Sequence, residues 1–178
     1  MNLYGSKQLA NSVRTVRQNT IVIAEDIPEE QYDYRPTPQS RSVRETFLHI
    51  LAGAQAAQRI HGEQRIASFE NLDFRAVMDG LPVKEKDQRS KTEIVALLRS
   101  EGDRWCQWIE QIPESVLAEP VIMSPGPDAA TKNRLELLLG TKEHEMHHRA
   151  QLMVIERLLG IVPHLTRKRQ PVRETAVR

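Results

Sequence analysis

TKEHEMHHRAQL, residues 141–152, carries His144, His147 and His148 within five positions, two of them in the frame HExxH. Apolar residues recur around it at helical spacing, and the run closes with Gly160 followed by Pro163, the order in which helices stop. The stretch reads as the middle of a helix over about 132–160. At roughly 100° per residue, His144 and His148 lie about 40° apart on one face, one turn above the other. That is the spacing at which two imidazoles reach one ion. The same wedge holds Leu137, Thr141, Gln151, Leu152, Ile155, Leu158 and Leu159, so both rings are expected to point inward. His147 lies about 60° to the other side, toward the edge. A buried imidazole pair needs polar partners, and a metal ion satisfies one nitrogen on each ring. A pair that only hydrogen-bonds to a buried side chain is the alternative.

Three more helices precede this one. The first, about 6–27, aligns Leu9, Val13, Val16, Thr20, Ile23, Ala24 and Ile27 and stops before Pro28. The second starts at the capping box Ser42-Val43-Arg44-Glu45 and runs to about Ile60, with Phe47, Ile50, Leu51 and Ala54 as its core stripe. Ala52, Gly53 and Ala56 keep its other side small, which lets something approach closely. The third opens at a second box, Ser90-Lys91-Thr92-Glu93, and carries Ile94, Leu97, Leu98, Trp105, Trp108, Ile109 and Ile112 on one face up to Pro113. Residues 62–90 read as a long, partly ordered connection, with LDFRAVMDGL as a short helix inside it. No stretch reads as a strand. The expectation is an all-α four-helix bundle over residues 1–164, followed by a basic, solvated tail, LTRKRQPVRETAVR, over 165–178.

Composition bounds the function. The chain has 178 residues, enough for one domain with a real core, and a formal charge of +1, which offers no strong field for nucleic acid. No segment has the length or apolarity of a membrane span or the form of a signal peptide. A single cysteine, Cys106, excludes an intrachain disulfide and fits a reducing, cytoplasmic location.

His49, in FLHIL on the small-residue side of the second helix, completes a three-histidine set with His144 and His148. Three neutral imidazoles leave an ion its full charge and open positions, the arrangement of catalytic rather than closed structural sites. Zinc is the default for such ligands, with nickel, iron and manganese as alternatives. HExxH also raises a zinc peptidase with Glu145 as general base. A metzincin, however, requires glycine at 151 and histidine at 154, where this chain has Gln151 and Val154. Glu101, inside the apolar stripe of the third helix, is a candidate to orient a ligand histidine or carry a proton; the bland reading sends it to solvent. Trp105 and Trp108 read as core and Cys106 as a packed thiol. His61 and His164 have no partner at ligand spacing. Leu135, Leu139, Met146 and Met153 form a second apolar stripe on the last helix, and a homodimer would bury it.

SVRETFLHI and HEMHHRAQL, together with the lead-in IPEEQYDYRPTP, resemble the DinB/YfiT-like superfamily of metal-binding four-helix bundles over nearly the whole chain. The resemblance implies up-down-down-up connectivity and metal ligands at His49, His144 and His148. It also implies a small-molecule activity, either thiol-dependent S-transfer with mycothiol, bacillithiol or a related low-molecular-weight thiol, or metal-dependent hydrolysis. A non-catalytic metal-binding dimer, a stress-related binding protein, is the reading from a different class.

Overall fold

The computed structural model describes residues 4–123 and 130–167. Four long helices form the bundle: α1 (Ser6–Asp26), α2 (Val43–Gln58), α4 (Lys91–Glu110) and α6 (Arg134–Leu158). Short helices α3 (Phe74–Asp79), α5 (Glu114–Leu117) and α7 (His164–Arg167) lie in or after the connections. Each long helix after the first begins at a reciprocal cap. Ser42 Oγ accepts from the Glu45 amide and Glu45 accepts from the Ser42 amide, at 3.2 and 3.1 Å. Ser90 and Glu93 repeat the arrangement. Asn133 and Glu136 form a third box, at 2.8 Å both ways. Each such cap is worth roughly 1 kcal/mol.

Contacts between the helices fix their directions. Arg14 meets Glu110 and Arg17 meets the Leu98 carbonyl, so α1 and α4 run antiparallel. His49 meets His148 and Gly53 meets His144, so α2 and α6 are antiparallel as well. Gln55 with Glu101 and Gly62 with Trp108 make α2 and α4 parallel; Arg17 with Glu145 and Leu9 with Leu138 do the same for α1 and α6. The connectivity is therefore up-down-down-up, with α1 beside α4 and α6, and α2 beside the same two. The stripe anticipated on α1 is buried from Leu9 to Ile27. One core cluster gathers Ile23, Phe47, Leu51, Ile94, Leu98 and Leu152; a second gathers Leu9, Val13, Trp105, Ile109 and Leu138 at the other end. Cys106 is a buried thiol and Trp105 is core, stacked on the half-buried Trp108 at 5.0 Å.

Four expectations need correction. Strands are present: β1 (Pro120–Ile122) pairs antiparallel with β2 (Thr131–Asn133). Three residues apiece are too few for a periodic signal. Residues 62–90 are ordered, with α3 where the short helix was expected; the second helix reaches Ile60 as anticipated, α2 passing into a π-helical turn (Arg59–Glu63). Leu158, assigned inward by its angle, is 59% exposed. The second stripe on α6 is largely absorbed within the chain, because Leu135 and Leu139 pack on one core cluster and Met153 on the other. Met146 alone of the four is exposed.

α7 crosses the expected domain boundary at residue 164, and most of the basic tail, 168–178, lies outside the described residues. Among those described, no helix is long and apolar enough to cross a membrane.

Candidate metal centre

His49 on α2 and His144 and His148 on α6 come together across the α2–α6 seam, with one nitrogen from each within 4.8 Å of the others. The small face of α2 permits the approach: a Cβ added at Gly53 would lie 3.1 Å from the His144 ring. The three ring centroids are 4.6 to 4.9 Å apart. Nε2 of His144 lies 3.0 Å from Nε2 of His49 and 3.1 Å from Nε2 of His148.

The outer nitrogens decide what those inner ones are. Nδ1 of His49 is 3.0 Å from a carboxylate oxygen of Glu85, which only accepts, so this nitrogen carries the proton. Nδ1 of His148 donates to Oε1 of Gln151 at 2.8 Å, while the amide nitrogen of Gln151 turns to Nε2 of His147 at 3.1 Å. In the neutral rings, Nε2 of His49 and of His148 are therefore bare lone pairs aimed at the same point. The His144 Nε2 can donate to at most one of them. Burial pushes all three rings below the ordinary histidine value, and His144, which also feels His148 and His49, falls to about 4. Near neutral pH the cluster is thus uncharged, with lone pairs facing one another.

A cation resolves that repulsion. Two nitrogens each roughly 2.0–2.1 Å from one ion sit about 3 Å apart, so the donor set fits a divalent metal in type, protonation and spacing. Glu85 and Gln151 act as the outer partners that fix ring orientation. His147 is exposed and stays outside the cluster.

The remaining candidates lie elsewhere. Glu145 is buried, with both carboxylate oxygens on Arg17 at 2.8 and 2.9 Å, and it faces α1 rather than the cluster. Glu101 accepts from Gln55 at 3.0 Å and pairs with Arg104. Neither contact joins it to the histidines, and the carboxylate that orients a cluster histidine is Glu85. The sequence reading missed Glu85 because it belongs to the 62–90 connection, where no periodicity marks which side chains return to the bundle. Buried His61 accepts from Arg134 at 3.1 Å and is pushed down to about 4 by burial and by that guanidinium. His164 meets Asn19 at 3.0 Å. Both serve as packing partners.

A cleft of about 780 Å³ is walled by the outer partners of the cluster, though by none of the three histidines themselves. Its wall includes Glu85 and Gln151 together with Arg35, Arg41, Lys86 and Val154.

Comparison with known proteins gives the family and the fold. The sequence model described as the DinB superfamily matches residues 12–152. The Bacillus subtilis (strain 168) protein YjoA is 24% identical over 155 residues, 87% of this chain and 91% of its own length. Its crystal structure, described as DinB-like, has a TM-score of 0.63 at 23% identity, covering 86% of this chain and 92% of that one. YfiT from Bacillus subtilis has a TM-score of 0.64 at 17% identity, covering 90% and 91%, and is described as a probable metal-dependent hydrolase with an unusual four-helix bundle topology. At these identities the likeness to the solved structures speaks for the fold alone.

Proposed function

Because the chain belongs to the DinB superfamily, we propose that it is a metal-dependent enzyme in which His49, His144 and His148 hold one divalent ion and the adjoining cleft receives a small-molecule substrate. The observation that carries this reading is the convergence of the three Nε2 atoms while Glu85 and Gln151 hold the outer nitrogens of two rings. Zinc is the proposed ion, on the preference of imidazole ligands.

When bound, such an ion supplies Lewis acidity that makes a water or a thiol nucleophilic near neutral pH. The reaction class is accordingly S-transfer from a low-molecular-weight thiol, or hydrolysis. Resemblance to thiol-using members of the superfamily supports the first, and the second rests on the same ion making water nucleophilic. Around the site the chain has separate tasks. Glu85 and Gln151 keep the imidazole tautomers and ring planes, and the small face of α2 lets the rings close. Val154 and Ile155 supply an apolar side to the cleft. A group of three histidines, with no fourth ligand joined to it among the described residues, supports catalysis over a closed structural centre.

The test is metal analysis of protein purified without an affinity tag, followed by parallel thiol-conjugation and hydrolysis screens. Wild type should carry one equivalent, and alanine at His49, His144 or His148, but not at His147, should abolish it. Full metal retained by His49→Ala would reject the two-helix site. Glu85→Ala should weaken zinc affinity about 10- to 100-fold, because a ligand freed of its outer partner loses orientation and basicity. A competition titration with a chromophoric chelator measures this, and an unchanged constant would remove Glu85 from the site.

We further propose a cytoplasmic location, on the single reduced thiol, and a homodimer through α6, supported by the exposed Met146. Light scattering at micromolar concentration tests the dimer, and a monomeric mass would reject it.

A further inference from the structure

The charges around the cleft are unequally used. Arg35 grips Glu45 with two terminal nitrogens, at 2.6 and 2.7 Å, and also donates to the Ser40 carbonyl at 2.7 Å. That pair is closed on itself. Arg41 donates from Nε to Glu85 at 2.8 Å, on the carboxylate whose other oxygen holds His49. Its side chain is 41% exposed, and the two terminal nitrogens of the fork are not spent on this bond. Lys86, the next residue after Glu85, lines the same cleft and makes no ion pair among the described residues. The carboxylates lining the cleft, Glu45 and Glu85, are thus both committed, and Arg35, Arg41 and Lys86 leave one cation in excess in its lining.

The position of this excess matters. The positive charge of Arg41 bears on all three cluster histidines. Glu85 and Gln151, which hold the outer nitrogens of His49 and His148, also line the cleft, so a molecule reacting at the cluster can extend past Arg41 with Val154 and Ile155 along one side. A guanidinium end presenting two N–H groups in a plane matches an oxyanion bidentately, and a lysine beside it adds a mobile point charge.

From this arrangement we propose that the substrate carries an anionic group, a carboxylate or a phosphoryl oxyanion, at the end remote from the reacting atoms, and that Arg41 and Lys86 select for it. The inference rests on the reading that the histidine cluster holds the reactive end. It assigns Arg41 and Lys86 to specificity and Glu85 to a double task, holding His49 on one oxygen and Arg41 on the other. Arg41 is thereby fixed in direction before a ligand arrives.

The experiment uses the zinc-loaded chain and two series of short hydroxamates, which bind through the head group. One series ends in a methyl group, and the other, of matched lengths, ends in a carboxylate or a phosphonate. At the best length the anion-tailed probe should bind about tenfold more tightly than its neutral partner, the gain of one well-formed charge-assisted contact. The better of the two anionic tails identifies the oxyanion. Lys86→Glu should reduce the preference and Arg41→Gln with Lys86→Glu should abolish it, with zinc affinity in Lys86→Glu unchanged. Equal binding of neutral and anionic tails at every length, or a preference that survives the double substitution, would overturn the proposal.

Should the chain take up no stoichiometric metal, the functional reading fails but the cleft is still testable. In the metal-free chain, glutarate should shift the backbone amide resonances of Arg41 and Lys86, and the neutral glutaramide should not. No shift with glutarate would overturn the proposal there too.

Discussion

Replacing Arg17 by methionine should destabilise the protein by about 3–5 kcal/mol, whereas replacing Arg17 and Glu145 together by methionine should return most of that loss. Both side chains are almost wholly withdrawn from water, at 4% and 6% exposure, and their two hydrogen bonds of 2.8 and 2.9 Å are each other's main compensation. Removing one partner leaves a buried charge unpaired, which is the expensive state; removing both replaces two desolvated ions with packing. Arg17 also donates to the Leu98 carbonyl at 3.2 Å, so the double variant should remain slightly weaker than wild type. Urea unfolding of the two single variants and the double variant gives the cycle directly. Additive losses would mean that the pair is not coupled.

A second large effect concerns Glu156. It is fully buried on α6, and neither of its carboxylate oxygens meets a hydrogen-bond donor among the described residues. Burial first, and then the nearby charge of Asp26, raise its carboxyl to about 7, against the opposing charges of Arg167 and Arg157. The native chain therefore holds a proton that the unfolded chain, with an ordinary value of 4.5, gives up. Stability from this residue is intact below about pH 4.5, declines as the unfolded state deprotonates, and is lost by about pH 7. At roughly 1.4 kcal/mol per pH unit the loss is about 3–4 kcal/mol. Glu156→Gln removes the titration. It should match wild type in acid and exceed it by about 3–4 kcal/mol at pH 8. Denaturation curves at several pH values check this, and a constant offset between the two proteins would reject it.

Both groups show where sequence reading stopped. Helix existence was legible because capping boxes and apolar spacing are local: Ser42 with Glu45, and Ser90 with Glu93, mark helix starts within four residues. The histidine pair on α6 was legible for the same reason, since i and i+4 share a face whatever the fold. His49 was within reach once the small face around Gly53 suggested a close approach. Glu85 was not, because a side chain in an irregular connection is aimed by tertiary contacts that leave no period. Arg17 escaped notice because an arginine near the buried face of a helix usually extends to water, and only its partner 128 positions away gives the burial a reason. The hairpin was too short to register. The helix-six stripe was real, but its angle alone did not tell whether the chain's own core or a second copy would cover it.

The up-down-down-up order also sets the timing of assembly during synthesis. His49 precedes His144 by 95 positions. At roughly 5–20 residues per second, α1, α2 and α4 have been made several seconds before the second half of the cluster leaves the ribosome. The growing chain meanwhile presents one imidazole beside an uncovered groove, which is no chelate. An ion cannot template this bundle from its early segments. The three-histidine set is complete only once α6 has docked on α2, so the two-helix site forms with the last helix.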